Sequence, residues 1–179
     1  MNVLWLPNEK LSKSNYSLHV LRMGIYKLKR VQLIASTLEE VWDFISSPEN
    51  LKEITPGYMG FEIISKGLPG KIYPGMIIAY RIKPLLGIGM KWVTEITEVK
   101  DGKNFVDEQK RGPYSFWRHQ HFIEKADNGV LMTDIVTYKP PFGLLGNIAN
   151  WLFIGRQLRE IFDYRRKALE KRFGEYRDL

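Results

Sequence analysis

Two histidines and an aspartate form the most promising chemical group in this chain, and they lie on two segments with strand character. His119 and His121 alternate along residues 117–122, so in a strand their side chains share one face. A two-residue loop within 127–129 leads into a second strand, and both registers that it allows place Asp134 on that face. In one of them His121 lies directly opposite Asp134. We expect this face to point inward, because it is the more apolar of the two and also carries Trp117, Ile123, Met132, Val136 and Tyr138.

A second hairpin, with its turn at Asp101-Gly102, adds two polar residues to the inward face. The Asp-Gly pair favours a type I′ turn, and we predict that Lys100 pairs with Lys103. This register places Asp107 and Gln109 on the face that also carries Trp92, Thr94, Ile96 and Phe105. The sequence does not fix how this hairpin aligns with the strand of the two histidines.

Buried polar groups need partners, so the cluster admits four interpretations. It can be a hydrogen-bonded network that only rigidifies the sheet, with His121 bonded to Asp134. It can be a polar anchor that orients a mostly apolar ligand. It can supply a general acid–base pair for cyclisation, dehydration or hydrolysis, with His119, His121 and Asp134 as candidate catalytic residues. A metal site on His119 and His121, with Asp134 as third ligand, is the weakest interpretation, because His-x-His is short and common, and we expect no metal or other cofactor.

The elements that must position these residues follow a simple order along the chain. A strand over 25–35 leads to a helix that Thr37 and Glu40 open as a capping box, and Pro48 starts a second short helix. Strands then follow one another with short connections, which requires antiparallel pairing. We predict them at 60–66, 76–83, 91–100, 103–110, 115–125 and 130–139.

The chain then forms one long helix. Large apolar residues recur every three or four positions from Leu144 to Phe173, a length of about 45 Å at 1.5 Å per residue. The first half is apolar nearly all round, so we expect it beneath the sheet, with Trp151 facing the sheet–helix space. The second half is charged on one side and should project into solvent. Membrane contact through Trp151 and Phe153 is the less favoured explanation of the apolar half.

These elements predict an α+β protein with a helix-grip fold, in which a curved antiparallel sheet wraps around the C-terminal helix. We expect residues 24–179 to form a single domain and residues 1–23 to be an N-terminal extension without an assigned function. The twisted sheet bends around the helix and can leave a cavity between them, roofed by the two short helices.

Composition narrows the function classes. The chain has no cysteine, which excludes disulfides and thiolate chemistry. The formal charge is +7, but basic residues are spread along the chain, so we predict a solvated surface and no nucleic-acid partner. The longest apolar stretch, 142–154, is too short to span a bilayer, and no secretory signal opens the sequence, so we expect a cytoplasmic protein that is not integral to the membrane.

Four stretches resemble a known superfamily. They are FISSPENLKEITPGYMGFEI at 44–63, KIYPGMIIAYRIKPLLGIGMKWVTEITEV at 71–99, FVDEQKRGPYSFWRHQHF at 105–122 and LMTDIVTYKPPFGLLG at 131–146. Together they are similar to one bacterial branch of the START/polyketide-cyclase superfamily, also called SRPBCC. The resemblance covers roughly 25–173 and implies a helix-grip fold with a cavity for a hydrophobic ligand. It supplies no agreed catalytic residues.

We therefore predict a protein that binds a small hydrophobic or amphipathic molecule such as a lipid, polyketide or aromatic metabolite. The alternatives are a cofactor-independent enzyme that uses the His/Asp pair, and an interaction module that docks through its basic terminal helix around a filled core. The candidate ligand-binding residues are Trp42, Tyr80, Trp92, Phe105, Asp107, Gln109, Trp117, His119, His121, Asp134, Tyr138 and Trp151.

Overall fold

A computed structural model describes residues 17–22, 24–85 and 88–175 and contains one antiparallel sheet of eight strands. The strands are β1 (Ser17–Arg22), β2 (Ile25–Ile34), β3 (Glu62–Ile63), β4 (Ile77–Leu85), β5 (Ile88–Lys100), β6 (Asn104–Arg111), β7 (Phe116–Ala126) and β8 (Gly129–Lys139). Their spatial order is β1-β2-β8-β7-β6-β5-β4-β3, and every neighbouring pair is antiparallel. The predicted helix-grip architecture is confirmed. The edge strand β1 lies in the 1–23 segment, where we predicted no element; residues 1–16 and 23 of that segment lie outside the described residues.

Helix α1 (Leu38–Ile45) and two short 3-10 turns (Pro48–Lys52 and Gly57–Met59) cover one end of the sheet. The predicted capping box is present, because the Thr37 hydroxyl accepts from the Glu40 N–H and the Glu40 carboxylate accepts from the Thr37 N–H. The apolar face of α1 is buried against the sheet. This end of the molecule is therefore closed by a well-anchored helix.

The β7–β8 hairpin has the register in which Ala126 pairs with Gly129 and His121 with Asp134. His119, His121 and Asp134 are all buried, and the side chains between them are more exposed. The predicted inward face is confirmed.

The β5–β6 hairpin differs from the prediction at its turn. Lys100 pairs with Asn104, so the loop has three residues and the predicted pairing with Lys103 is wrong. Thr97 is an extra residue in β5, and this bulge shifts the register back by one residue. Ile96 then faces Asp107, as the predicted register requires.

The terminal helix covers residues 144–173 without a break and consists of α2 (Leu144–Ala149), a π-helical turn (Asn150–Ile154) and α3 (Gly155–Phe173). The Gly155 N–H donates to the Asn150 carbonyl five residues earlier, which defines the π turn. The sheet grips α3, whose inward face carries Leu158, Phe162, Arg165 and Leu169.

The first part of this helix turns its large apolar side chains away from the sheet, whereas we predicted that they face it. Its inward positions are Gly146 and Asn150, both buried, whereas its large apolar side chains point to solvent. A Cβ atom on Gly146 would lie 1.9 Å from the Pro141 carbonyl oxygen, so only glycine permits this backbone approach. The predictions that the first half lies beneath the sheet and that the second half projects into solvent are both wrong.

Candidate ligand-binding site

A cavity of about 160 Å³ lies between the concave face of the sheet, the 3-10 turns and α3. Its wall is mostly apolar and includes Ile78, Ile82 and Ile96 from the sheet, Leu51 and Met59 from the turns, and Leu158, Ile161 and Phe162 from α3. The elements predicted to enclose the cavity therefore do enclose it, with α3 in place of the first half of the terminal helix.

Seven of the twelve predicted ligand-binding residues lie in the wall of this cavity. They are Tyr80, Trp92, Phe105, Asp107, Trp117, His119 and His121. The bulge at Thr97 and the cross-strand pair of Asp107 with His119 bring the polar members together. The sheet therefore presents one polar cluster in the wall of a mostly apolar cavity.

Three of the other five residues do not line the cavity and make structural contacts instead. Trp42 packs edge-on against Phe105 and donates its indole N–H to Asp101 Oδ1 at 2.5 Å. The Gln109 side chain donates to the Tyr114 carbonyl at 2.6 Å and so holds the turn between β6 and β7. The third residue is Tyr138. Its hydroxyl donates to Asn150 Oδ1 at 2.8 Å, and this bond links the terminal helix to β8.

The last two residues also lie outside the wall. Asp134 is buried behind the histidines, so the His/Asp pair that faces the cavity is His121 with Asp107. Trp151 is 83% exposed, and its predicted position in the sheet–helix space is wrong. The side chain lies on the outer face of the π turn, opposite the side that packs on the sheet.

The two imidazoles lie side by side between two carboxylates, with ring centroids 3.7 Å apart. Asp134 Oδ1 lies 3.2 Å from His119 Nε2, with hydrogen-bond geometry, and 2.8 Å from His121 Nδ1, without it. Asp107 Oδ1 lies 3.2 Å from His121 Nε2 and 3.6 Å from His119 Nδ1. Each of the four ring nitrogens therefore lies within 3.6 Å of a carboxylate oxygen.

Burial and the neighbouring imidazole of His121 lower the pKa of His119 to about 4, although the carboxylates oppose this shift, so His119 is neutral at pH 7. Burial alone would raise the pKa of Asp134, but the Arg165 guanidinium and the two histidines hold it well below its usual value. Burial also acts to raise the pKa of Asp107. The contacts of this carboxylate with His121 and His119 outweigh the effect of burial and lower its pKa. Both carboxylates are therefore ionised in this buried site.

Sequence reasoning missed Arg165, which enters the cavity wall from α3 and is only 8% exposed. Its Nη1 lies 3.8 Å from Asp134 Oδ1, and its Nε has no hydrogen-bond partner in the described part of the chain. The signal was present in the sequence, because Arg165 is a cation within the apolar repeat of the terminal helix. The Trp92 indole N–H is likewise buried and unpaired among the described residues. Two residues of the cavity wall thus hold buried donors that have no partner among the described residues.

The chain matches a family model, described as polyketide cyclase/dehydrase and lipid transport, over residues 34–161. No curated protein matches it. In the described part of the chain, no helix combines the length and the apolar composition needed to cross a membrane.

Several solved structures share the fold. A protein from Arthrobacter aurescens is 12% identical with a TM-score of 0.65, and the match covers 90% of this chain and 93% of that one. Protein Ms6760 from Mycobacterium smegmatis is 14% identical with a TM-score of 0.61, over 89% and 99% of the two chains. A START superfamily protein from Mycobacterium smegmatis is 13% identical with a TM-score of 0.59, over 82% and 96%. At these identities the likeness shows the fold alone.

Proposed function

Because this chain belongs to the polyketide cyclase/dehydrase and lipid transport family, we propose that it binds a small apolar or amphipathic molecule between the sheet and α3. The observation that carries this proposal is a mostly apolar cavity with a polar cluster in its wall. Most ligand sites have this composition, in which apolar walls supply affinity and a few polar groups fix orientation.

The volume of the cavity limits the size of the ligand. A dry protein cavity of about 150 Å³ holds a molecule the size of benzene, and this cavity has about 160 Å³. We therefore favour a compact aromatic or short-chain molecule. A longer lipid would require α3 and the 3-10 turns to move apart.

The unpaired donors set the orientation of the ligand. Trp92 Nε1 and Arg165 Nε lie in the cavity wall, and both are buried without a hydrogen-bond partner in the described residues. A ligand oxygen that accepts from either donor would remove the cost of leaving it unsatisfied, about 1–3 kcal/mol for each group. The ligand should thus place an oxygen near these donors and its apolar part against the isoleucines of β4.

A filled cavity gives the sharpest test. Ile78→Trp adds a large side chain to the cavity wall, whereas Ile77→Trp on the same strand points to solvent, where Ile77 is 49% exposed. We expect the wild type and Ile77→Trp to bind phenol or to carry a co-purified ligand in native mass spectrometry, and Ile78→Trp to do neither. Circular dichroism would confirm that all three proteins are folded. Equal binding by all three would refute the cavity as the ligand site.

A further inference from the structure

The cluster of Asp107, Asp134, His119 and His121 has four contacts between a ring nitrogen and a carboxylate oxygen, at 2.8–3.6 Å. Arg165 lies beside Asp134, whereas the described ion pairs of Asp107 include no lysine or arginine. An imidazole with a single N–H sets the lone pair of its other nitrogen against a carboxylate in this arrangement. Protonation of both rings would place two buried cations with ring centroids 3.7 Å apart. A metal cation bound beside Asp107 would balance the charge of that carboxylate and accept the lone pairs.

The geometry shows where such a cation would lie. Asp134 only accepts hydrogen bonds, so its bond with His119 Nε2 places the proton there and leaves the Nδ1 lone pair on the side of Asp107. In the metal-free cluster His121 Nε2 hydrogen-bonds to Asp107. A bound cation would replace that proton, which would then reside on His121 Nδ1, 2.8 Å from Asp134 Oδ1. One ligand atom from each of Asp107, His119 and His121 lies within 4.8 Å of the others. Ligands about 2 Å from a tetrahedral ion are about 3.3 Å apart, which is close to the 3.2 Å and 3.6 Å separations from Asp107.

We propose that Asp107, His119 and His121 bind a divalent first-row metal ion, with Asp134 as the residue that orients both imidazoles. Two histidines and one carboxylate suit zinc or iron(II), and a carboxylate on the far nitrogen of a ligating histidine is the usual supporting contact. Arg165 lies behind Asp134, with Nη1 3.8 Å from its Oδ1, and keeps that carboxylate ionised.

The proposed site opens toward the cavity, because all three ligands lie in its wall and Asp107 has the most exposed side chain of the three. The fourth position would face the space that we assign to the organic ligand. An oxygen of that ligand, or water, could complete the coordination. The metal site itself does not depend on the apolar-ligand proposal, so either can fail without the other.

Titration of chelator-treated protein with Zn²⁺, and separately with Co²⁺, tests the proposal. We expect one ion per chain by calorimetry, a rise in the melting temperature, and the visible absorption of four-coordinate Co²⁺. Asp107→Asn and His121→Gln should each weaken binding by about 100-fold or more. Asp134→Asn should weaken it by about 10–100-fold, the range for a residue that orients a metal ligand.

Gln120→Ala is the matched control, since Gln120 lies between the two histidines but on the opposite face of β7 and should leave metal affinity unchanged. Circular dichroism would identify any variant that does not fold. If one of the two ligand variants, Asp107→Asn or His121→Gln, is unfolded, the metal affinity of the other one tests the proposal. No binding by folded wild type, or equal affinity in the wild type and the ligand variants, would overturn the proposal.

An independent observation concerns the outer surface of the terminal helix. Five large apolar residues there are 54–83% exposed, and we call them the apolar stripe: Leu144, Leu145, Ile148, Trp151 and Leu152. At 100° per residue they fall within an arc of about 120° on one face. Monomeric soluble proteins rarely expose a continuous apolar surface of this kind without a function for it.

Charge indicates what covers the stripe. Residues 140–155 contain no charged side chain, whereas Lys139 precedes them, Arg156 and Arg159 follow, and the whole chain carries +7. An apolar face with a tryptophan and basic residues at its ends is the pattern of a helix that lies in an anionic membrane interface. We infer that the apolar stripe docks this protein onto an anionic lipid surface.

Co-sedimentation with phosphatidylcholine vesicles, with and without phosphatidylglycerol, tests this inference. The wild type should bind the anionic vesicles, less so at high salt, and Leu145→Gln/Trp151→Gln should bind at least about tenfold more weakly. Phe122→Gln is the control, since this exposed aromatic residue lies on the sheet. Absence of vesicle binding by the wild type would refute the inference. So would a wild-type dimer that becomes monomeric in the double variant, because a second copy would then cover the stripe.

Discussion

Replacement of Arg165 by methionine should destabilise the protein through a buried carboxylate that loses its cationic partner. Arg165 is 8% exposed and Asp134 is 6% exposed, and the ion pair joins Nη1 to Oδ1 over 3.8 Å. Methionine retains much of the aliphatic length of arginine, so the substitution removes the charge without opening a large cavity. The effect should therefore be mainly electrostatic.

The separation sets the magnitude. Two unit charges 3.8 Å apart interact by about 4 kcal/mol at an effective dielectric constant of about 20. Removal of one partner of a buried pair costs about 3–5 kcal/mol, in agreement with that figure. The pKa of Asp134 is held well below its usual value, so this stabilisation is present above the unfolded-state pKa and is lost as the pH falls through the folded-state value. The penalty of Arg165→Met should therefore shrink in strong acid.

Urea unfolding followed by circular dichroism at pH 7 measures this cost as a change in midpoint. The control is Arg156→Met on the same helix, which removes an exposed pair with Glu160 and should cost less than about 0.5 kcal/mol. The double variant Arg165→Met/Asp134→Asn should recover much of the loss, because no unpaired charge remains. A cost below about 1 kcal/mol for Arg165→Met, or strict additivity in the double variant, would show that the pair is not electrostatically coupled.

Three further predictions concern the frame of the cavity and its pH response. Gly146→Ala should destabilise the protein by at least about 1–3 kcal/mol in urea unfolding, because its Cβ would overlap the Pro141 carbonyl, whereas Gly155→Ala, with its nearest atom at 3.3 Å, should be far milder. Thr37→Ala should cost about 1 kcal/mol in the same assay through loss of the helix cap, and Thr37→Ser should restore most of it. Stability of the metal-free protein should fall as the pH drops from about 6.5 to about 4, since the unfolded chain binds a proton that the buried His119 does not. A urea series across that range should show a smaller decrease for His119→Gln, and an equal decrease would show that another group titrates.

The inward face of the β7–β8 hairpin could be predicted because both registers that its short loop allows place the same residues on that face. The sequence did not choose between the two registers, and the structure has the one in which His121 lies opposite Asp134. The β5–β6 hairpin could be predicted only away from its turn. A three-residue loop and a bulge at Thr97 compensate for each other, and no residue type in that stretch indicates either feature.

The terminal helix shows why hydrophobic periodicity can mislead. The repeat of large apolar residues correctly predicted a helix over 144–173, but it does not state which face meets the sheet. In its first part the sheet-facing positions are Gly146 and Asn150. Gly146 permits a close approach to the Pro141 backbone, and Asn150 accepts a hydrogen bond from Tyr138. Large apolar residues indicate burial only where the surface that packs against them has room for their side chains. That room depends on the tertiary structure, which the sequence of one chain does not reveal.

The π turn accommodates one extra residue in the terminal helix without turning its faces. Its buried positions on either side, Asn150 and Gly155, are five residues apart instead of three or four. A π turn completes about one revolution in five residues, where an α-helix takes about four. An unbroken α-helix over the same residues would rotate α2 by about 100° relative to α3 and carry Gly146 away from the Pro141 carbonyl. A homologue that is one residue shorter at this point would therefore present the same outer face without the π turn.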